Sequence, residues 1–182
     1  MSAESEGTLR LPAAIRPNDA ATARVEELFR RCERPIGRYL AQMVRDRALA
    51  EDLLQDTFHT ALRSRAELSG VRNADAWLYG IARNRALQAL RRRRRFDGAL
   101  IRLGLRQPPD ADGAELVAIR DLLERTLTPG DRALIVLRYL HDFDSVELAE
   151  MTGMTPEGVR KRLSRARALL LAAHPNTEGD PI

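Results

Sequence analysis

The stretch from Asp144 to Leu171, DSVELAEMTGMTPEGVRKRLSRARALLL, constrains the fold more than any other part of the chain. It reads as two helices joined by a tight turn. Asp144 is placed to cap the first helix, because a carboxylate accepts the backbone N–H groups that a helix start leaves unpaired. Glu147, three residues on, completes a capping box. The helix runs through Leu148 and Ala149 to about Met151. Gly153 falls where the chain must turn with a positive φ. Thr155 is a good second cap, and Pro156 a favoured first helical residue. The second helix puts Val159, Leu163, Ala166 and Leu170 on one face. Its opposite face carries Lys161, Ser164 and Arg165, flanked by Arg160, Arg162 and Arg167.

This spacing is that of a helix-turn-helix. Ala149 is small where two helices must cross closely, Gly153 follows four residues later, and apolar Val159 follows ten later. In such a unit the second helix enters the major groove, with its N-terminal half against base edges and its arginines on phosphates. Charge alone favours a solvated basic helix in an ordinary bundle, because charge runs usually just face water. The caps, the turn glycine and the charge placement together favour DNA reading.

Elsewhere Leu, Ala and Arg abound while aromatic residues make up only 4%, so helices are favoured over strands. The formal net charge is +4, and the positive charge is clustered. Clustering of this kind suits a polyanionic partner, nucleic acid before membrane. Cys32 is the only cysteine, so no intramolecular disulfide is expected, and a small apolar filler is its plain role. No apolar run approaches the roughly 20 residues of a membrane span. The opening MSAESEGTLR lacks the apolar core of a secretory signal. A cytoplasmic protein without membrane insertion is expected.

Residues 1–17 mix Ser, Glu, Gly and Pro without period and are expected to form a disordered arm. Asn18 or Asp19 can cap a helix bearing Val25, Leu28 and Phe29. Pro35 is expected to break it, with Ile36, Tyr39, Leu40 and Met43 on a second helix. Asp46 caps the next, with Leu54, Phe58, Ala61 and Leu62 inward and Leu53 on the edge. LSGVRN, from Leu68 to Asn73, reads as a loop. A helix from about Ala74 carries Trp77, Leu78, Ile81, Ala82, Leu87 and Leu90 as its apolar stripe, with Trp77 in the core, and ends in Arg91 to Arg95. A helix dipole favours cations at that end. Five adjacent arginines repel one another, however, and a phosphate-rich partner accounts for them better.

RQPPDADG marks a flexible linker over residues 97–113. From Ala114 to about Leu127 a helix turns Leu116, Ile119, Leu122 and Leu123 inward. Thr128, Pro129 and Asp131 then cap and open the next. The polar end, 173–182, is expected to fray.

Asp52, Gln55, Asp56 and His59 share the arc opposite Phe58 and Leu62, an acidic patch on a basic chain. A catalytic pair or a metal site needs more ligands than these. His59, His141 and His174 are scattered, and the chain has no Gly-rich phosphate loop or nucleophile motif. Catalysis, metal and cofactor are therefore set aside. A solvated face and a protein-binding face both remain.

AEDLLQDTFHTAL, AWLYGIARNRALQALRRRRR and LTPGDRALIVLRYLHDFDSVELAEMTGMTPEGVRKRLSRARALLL resemble parts of bacterial sigma factors. They are similar, in order, to two segments of the first conserved domain and to the whole last domain of the sigma-70 family. Within it the chain is identified as a member of the small extracytoplasmic-function (ECF) group. The resemblance covers roughly residues 18–96 and 114–172. It implies an all-α protein of two small helical domains joined by a flexible linker, the C-terminal one a helix-turn-helix. It also implies a promoter-specificity subunit that is not an enzyme and needs no cofactor.

Roles follow from the resemblance, residue by residue. Asp52, Gln55 and Asp56 would bind the coiled coil of the largest subunit of core RNA polymerase. Asn73, Arg83, Asn84, Arg91, Arg92 and Arg93 would engage the −10 promoter element as the strands open. Glu157, Arg160, Lys161, Ser164, Arg165 and Arg167 would read the −35 element in duplex DNA. The implied partners are core RNA polymerase, promoter DNA and an anti-sigma factor. Two departures bear on which −35 bases are read. DSVELA stands where family members usually have Ser-x-Glu-Glu-(Ile/Val)-Ala. The second helix opens Glu157-Gly158-Val159-Arg160-Lys161 where Gly-Thr-Val-Lys-Ser is common.

Overall fold

The computed structural model describes residues 20–102 and 115–173. The expected arm, the caps Asn18 and Asp19, most of the linker and nearly all of the tail lie outside them. The elements among the described residues are all helical: α1 (Ala20–Val44), α2 (Arg47–Arg63), a 3-10 helix (Arg65–Gly70) and α3 (Ala74–Arg102), then α4 (Glu115–Thr126), α5 (Pro129–Leu140), α6 (Ser145–Thr152) and α7 (Pro156–Ala173).

Pro35 does not break α1. It lies within a continuous helix, half-buried, although its ring removes one backbone bond and costs about 3 kcal/mol. Leu28 and Cys32 before it, and Ile36, Tyr39, Leu40 and Met43 after it, are all buried. Each large apolar side chain there contributes about 1.5–3 kcal/mol, which offsets the lost bond. LSGVRN is likewise more ordered than a loop. Its first three residues belong to the 3-10 helix, because Leu68 is buried and anchors that turn.

α1, α2 and α3 form one bundle, with Phe29 of α1 edge-on to Phe58 of α2 at 3.9 Å between ring centroids. Leu53 is buried rather than marginal, while Leu54 is half-buried. Trp77 is half-buried at the edge of the core, not within it. α3 runs to Arg102, past residue 96 where the linker was expected to begin. In the second bundle Leu122 and Leu123 are half-buried, but Ile119 is 57% exposed, contrary to the inward placement expected of it. Packing against α5 and α7 selects the face of this short helix, and Ile119 falls outside it.

The capping chemistry is as the residues dictate. Asp46 accepts the Leu49 N–H at 3.1 Å, and Thr128 Oγ1 accepts that of Asp131 at 3.2 Å. Asp144 Oδ1 accepts from Val146 at 2.7 Å and from Glu147 at 2.8 Å. Thr155 Oγ1 accepts from Gly158 at 3.1 Å, and a Cβ on Gly158 would lie 3.1 Å from that oxygen, so the missing side chain leaves the cap room.

The two bundles share one apolar core. α3 packs on α6 and α5, and α1 on α5. Gly80 is the close approach: a Cβ there would stand 3.5 Å from Met151 Cα of α6. Tyr39, Tyr79, His141 and Phe143 form an aromatic cluster across the joint, and the Tyr79 hydroxyl pairs with His141 Nδ1 at 3.0 Å.

Candidate nucleic-acid interface

The second helix of the helix-turn-helix, α7, buries Val159, Leu163 and Ala166 against its neighbours. Gly153 turns the chain into it with φ 67°, in the left-handed region that suits glycine. Arg162 is tied to Asp131 of α5 and lies over Gly130, which fixes the angle of α7. The expected readers Glu157, Arg160, Lys161, Ser164, Arg165 and Arg167 are all exposed on the outward arc. Glu157 and Lys161 form an i,i+4 ion pair at 2.8 Å. A pair this exposed contributes under about 1 kcal/mol, so a base or phosphate can displace it.

The residues expected at the −10 element do not form one patch. Asn73, just before α3, and Arg93 within it are twenty residues apart, roughly 30 Å at helical rise. Asn84, Arg91 and Arg92 are exposed on one arc, with Gln88 between them. Gln88 was not singled out in the sequence, although its i+4 relation to Asn84 marks it. Arg93 donates to the Val44 carbonyl at 3.3 Å. Arg83 points the other way and is only 9% exposed. Burial pulls its guanidinium below the ordinary arginine range, against the Tyr39 hydroxyl and with the nearby Arg162 and Arg91. Asn73 caps α3: its Oδ1 accepts from Asp75 at 3.0 Å and Ala76 at 3.1 Å, while its amide donates to Glu147 of α6 at 2.6 Å.

On α2, Asp52, Gln55 and Asp56 are exposed, and no ion pair among the described residues engages the two carboxylates. Beside them lies an apolar hollow of about 320 Å³ lined by Val25, Phe29, Phe58 and Leu62, with Glu26, Arg30 and His59 at its margin. Among the described residues no group of three or more His, Cys, Asp or Glu is placed to hold a metal ion, and no helix is long and apolar enough to cross a membrane.

The family model Sigma-70 region 2 matches residues 28–96, and that of Sigma-70, region 4 matches residues 116–170. RNA polymerase sigma factor CarQ of Myxococcus xanthus is 35% identical over 151 residues, which span 81% of this chain and 87% of that protein. Among solved structures, the sigma factor RpoE in complex with the anti-sigma factor NepR from Bartonella quintana superposes with a TM-score of 0.66. It is 22% identical, over 84% of this chain and 98% of that one. CnrH in complex with the cytosolic domain of CnrY superposes with a TM-score of 0.63 at 23% identity, over 85% and 89%. At those identities the two structures bear on the fold.

Proposed function

The chain belongs to the sigma-70 family, in its extracytoplasmic-function group, and on that premise we infer that it is a promoter-specificity subunit of RNA polymerase. It catalyses nothing itself. It joins core polymerase and directs initiation at promoters. The observation that carries this reading is the pair of matched regions, 2 and then 4, within one chain of 182 residues.

Its finer anatomy follows as a proposal. Residues 18–96, lengthened to Arg102 by α3, and residues 114–172 act as two domains about a linker, with an arm over 1–17 and a tail over 173–182. Asp52, Gln55 and Asp56 bind the coiled coil of the largest polymerase subunit. Their exposure and the adjoining apolar hollow support this, because an interface gains from apolar anchors beside charged pairs. Asn84, Arg91, Arg92 and Arg93, with Asn73 and Arg83, engage the −10 element. The loop before Trp77 takes a flipped base, a step that costs a few kcal/mol of unstacking. Glu157, Arg160, Lys161, Ser164, Arg165 and Arg167 read the −35 element. An anti-sigma factor restrains the protein, a reading supported by its likeness across both bundles to the sigma factor RpoE in complex with the anti-sigma factor NepR. Its place is the cytoplasm, with core polymerase and promoter DNA.

The test is run-off transcription with purified core polymerase and a randomised pool of promoter fragments. The expected outcome is a selected promoter class that core alone does not transcribe. DNA binding without any such transcript would mark a free-standing regulator that never joins polymerase.

A further inference from the structure

We propose that Tyr39, Arg83 and Arg132 form a buried site for one small monovalent anion, of the size and charge of chloride, where α1, α3 and α5 meet. The site goes beyond the function proposed above and does not depend on it.

The three side chains come from three helices that pack on one another. Contacts between α1 and α3 run in register. Tyr39 lies edge-on to Tyr79 at 5.8 Å between ring centroids, and Arg93 reaches the Val44 carbonyl at 3.3 Å. Arg83, one turn beyond Tyr79, therefore falls at the level of Tyr39 to Met43. Arg132 of α5 donates to the Met43 carbonyl at 2.9 Å, one turn from Tyr39. All three side chains are enclosed: Tyr39 is 0% exposed, Arg83 9% and Arg132 4%. In each, one polar atom is orphaned. Tyr39 Oη, Arg83 Nε and Arg132 Nε are buried with no hydrogen-bond partner among the described residues. All three can donate, and the guanidinium nitrogens can do nothing else. Burial raises the Tyr39 hydroxyl above its ordinary range, with Arg83 and Arg132 opposing, so it keeps its proton at neutral pH.

The charges around these donors leave one cation over. Arg45 holds Asp121 and Glu124, and Arg132 lies 3.6 Å from the same Glu124. Two guanidiniums there face two carboxylates, and that group is neutral. Arg83 has no carboxylate partner among the described residues. Its hydrogen bond goes to the neutral Asn84 side-chain oxygen at 3.3 Å, and the other cations that act on it, Arg162 and Arg91, repel it. A buried charge without a partner costs far more than one hydrogen bond regains. One unmatched positive charge calls for one negative charge, which favours a monovalent ion over a dianion. A monatomic ion also imposes no direction on its donors, so it can accept from three helices at once, and hydrogen bonds to a charged acceptor are the stronger kind.

Chloride is the probe, added to the full chain at an ionic strength held constant with gluconate. The thermal unfolding midpoint should rise by about 2–8 °C and then level off, as expected of a ligand that binds the folded chain alone. Tyr39→Phe keeps the ring and removes one donor, so the chloride concentration at half-effect should rise about tenfold or more. Arg83→Met keeps an apolar stem and removes the unmatched charge, so its unfolding should no longer respond to chloride. Circular dichroism identifies which variants keep the helicity of the unaltered chain, and the comparison is made on those. The absence of a saturating shift in the unaltered chain would overturn the site, and so would an equal half-effect concentration in a folded variant. Neither polymerase nor promoter enters these measurements, so failure of the site would leave the function proposed above standing.

Discussion

The Glu147 carboxylate is shared between the two bundles: Oε2 accepts the Asp144 backbone N–H at 2.8 Å, and Oε1 accepts the Asn73 amide at 2.6 Å. One side chain thus closes the capping box of α6 and reaches the cap of α3. Glu147→Ala should lower stability by about 1–3 kcal/mol, since hydrogen bonds to a charged group are the stronger kind. A double-mutant cycle with Asn73→Ala isolates the shared bond, with a coupling of about 0.5–3 kcal/mol expected by denaturant unfolding. Strict additivity would mean that the contact contributes nothing.

Core binding should fail when the charge on α2 is reversed. Asp56→Arg, alone or with Gln55→Arg, is expected to weaken capture by core polymerase by several kcal/mol. Helicity should stay unchanged, because both side chains are exposed. A solvated face would lose under about 1 kcal/mol, so undiminished pull-down by the variant excludes the role.

The −35 contacts divide into two kinds. If Arg165 or Lys161 reaches a base edge, its replacement by Ala should change preference at one or two −35 positions by about 1–3 kcal/mol. If it reaches phosphate alone, affinity should fall evenly across sequences and the log–log salt slope should drop by about 0.9. Neutralising part of Arg91 to Arg95 should weaken complexes with opened −10 DNA. A change in −35 preference from that run would reverse the assignment of the two surfaces.

Acidification should loosen the joint. Burial holds the His141 imidazole below its usual pKa, Arg38 adds to this, and Asp142 opposes it. Tyr39 and Tyr79 are the other titratable groups facing it. The unfolded or opened chain takes up the proton first, near pH 6.5, so stability is full above that value and declines as pH falls toward the lowered one. Thermal unfolding followed from pH 8 to pH 5.5 should show this decline, and His141→Gln should flatten it. An unchanged slope in the variant would assign the effect to other groups.

Local chemistry was legible where the partner lies within a few residues. The Asp46, Thr128, Asp144 and Thr155 caps and the Gly153 turn were all apparent from spacing, because each is complete within one helical turn. The second role of Glu147 was not, since its partner is 74 residues away in the chain. Pro35 misled for the same reason: the local rule opposes a helix, and distant core contacts overrule it. Arg83 could have been placed by phase alone. Tyr79, Ala86 and Leu87 stand four before, three after and four after it on α3, and all are buried. The −35 arc was legible because amphipathic period and charge agree there.

Cys32 bears on how the protein can be labelled. It is buried on α1, and burial together with the nearby Asp75 carboxylate pushes its thiol up to about 11. At neutral pH nearly all of it is therefore unreactive thiol. The natural cysteine is chemically silent, so a pair of fluorophores on new surface thiols would report the separation of the two bundles in real time, with the native sequence otherwise intact.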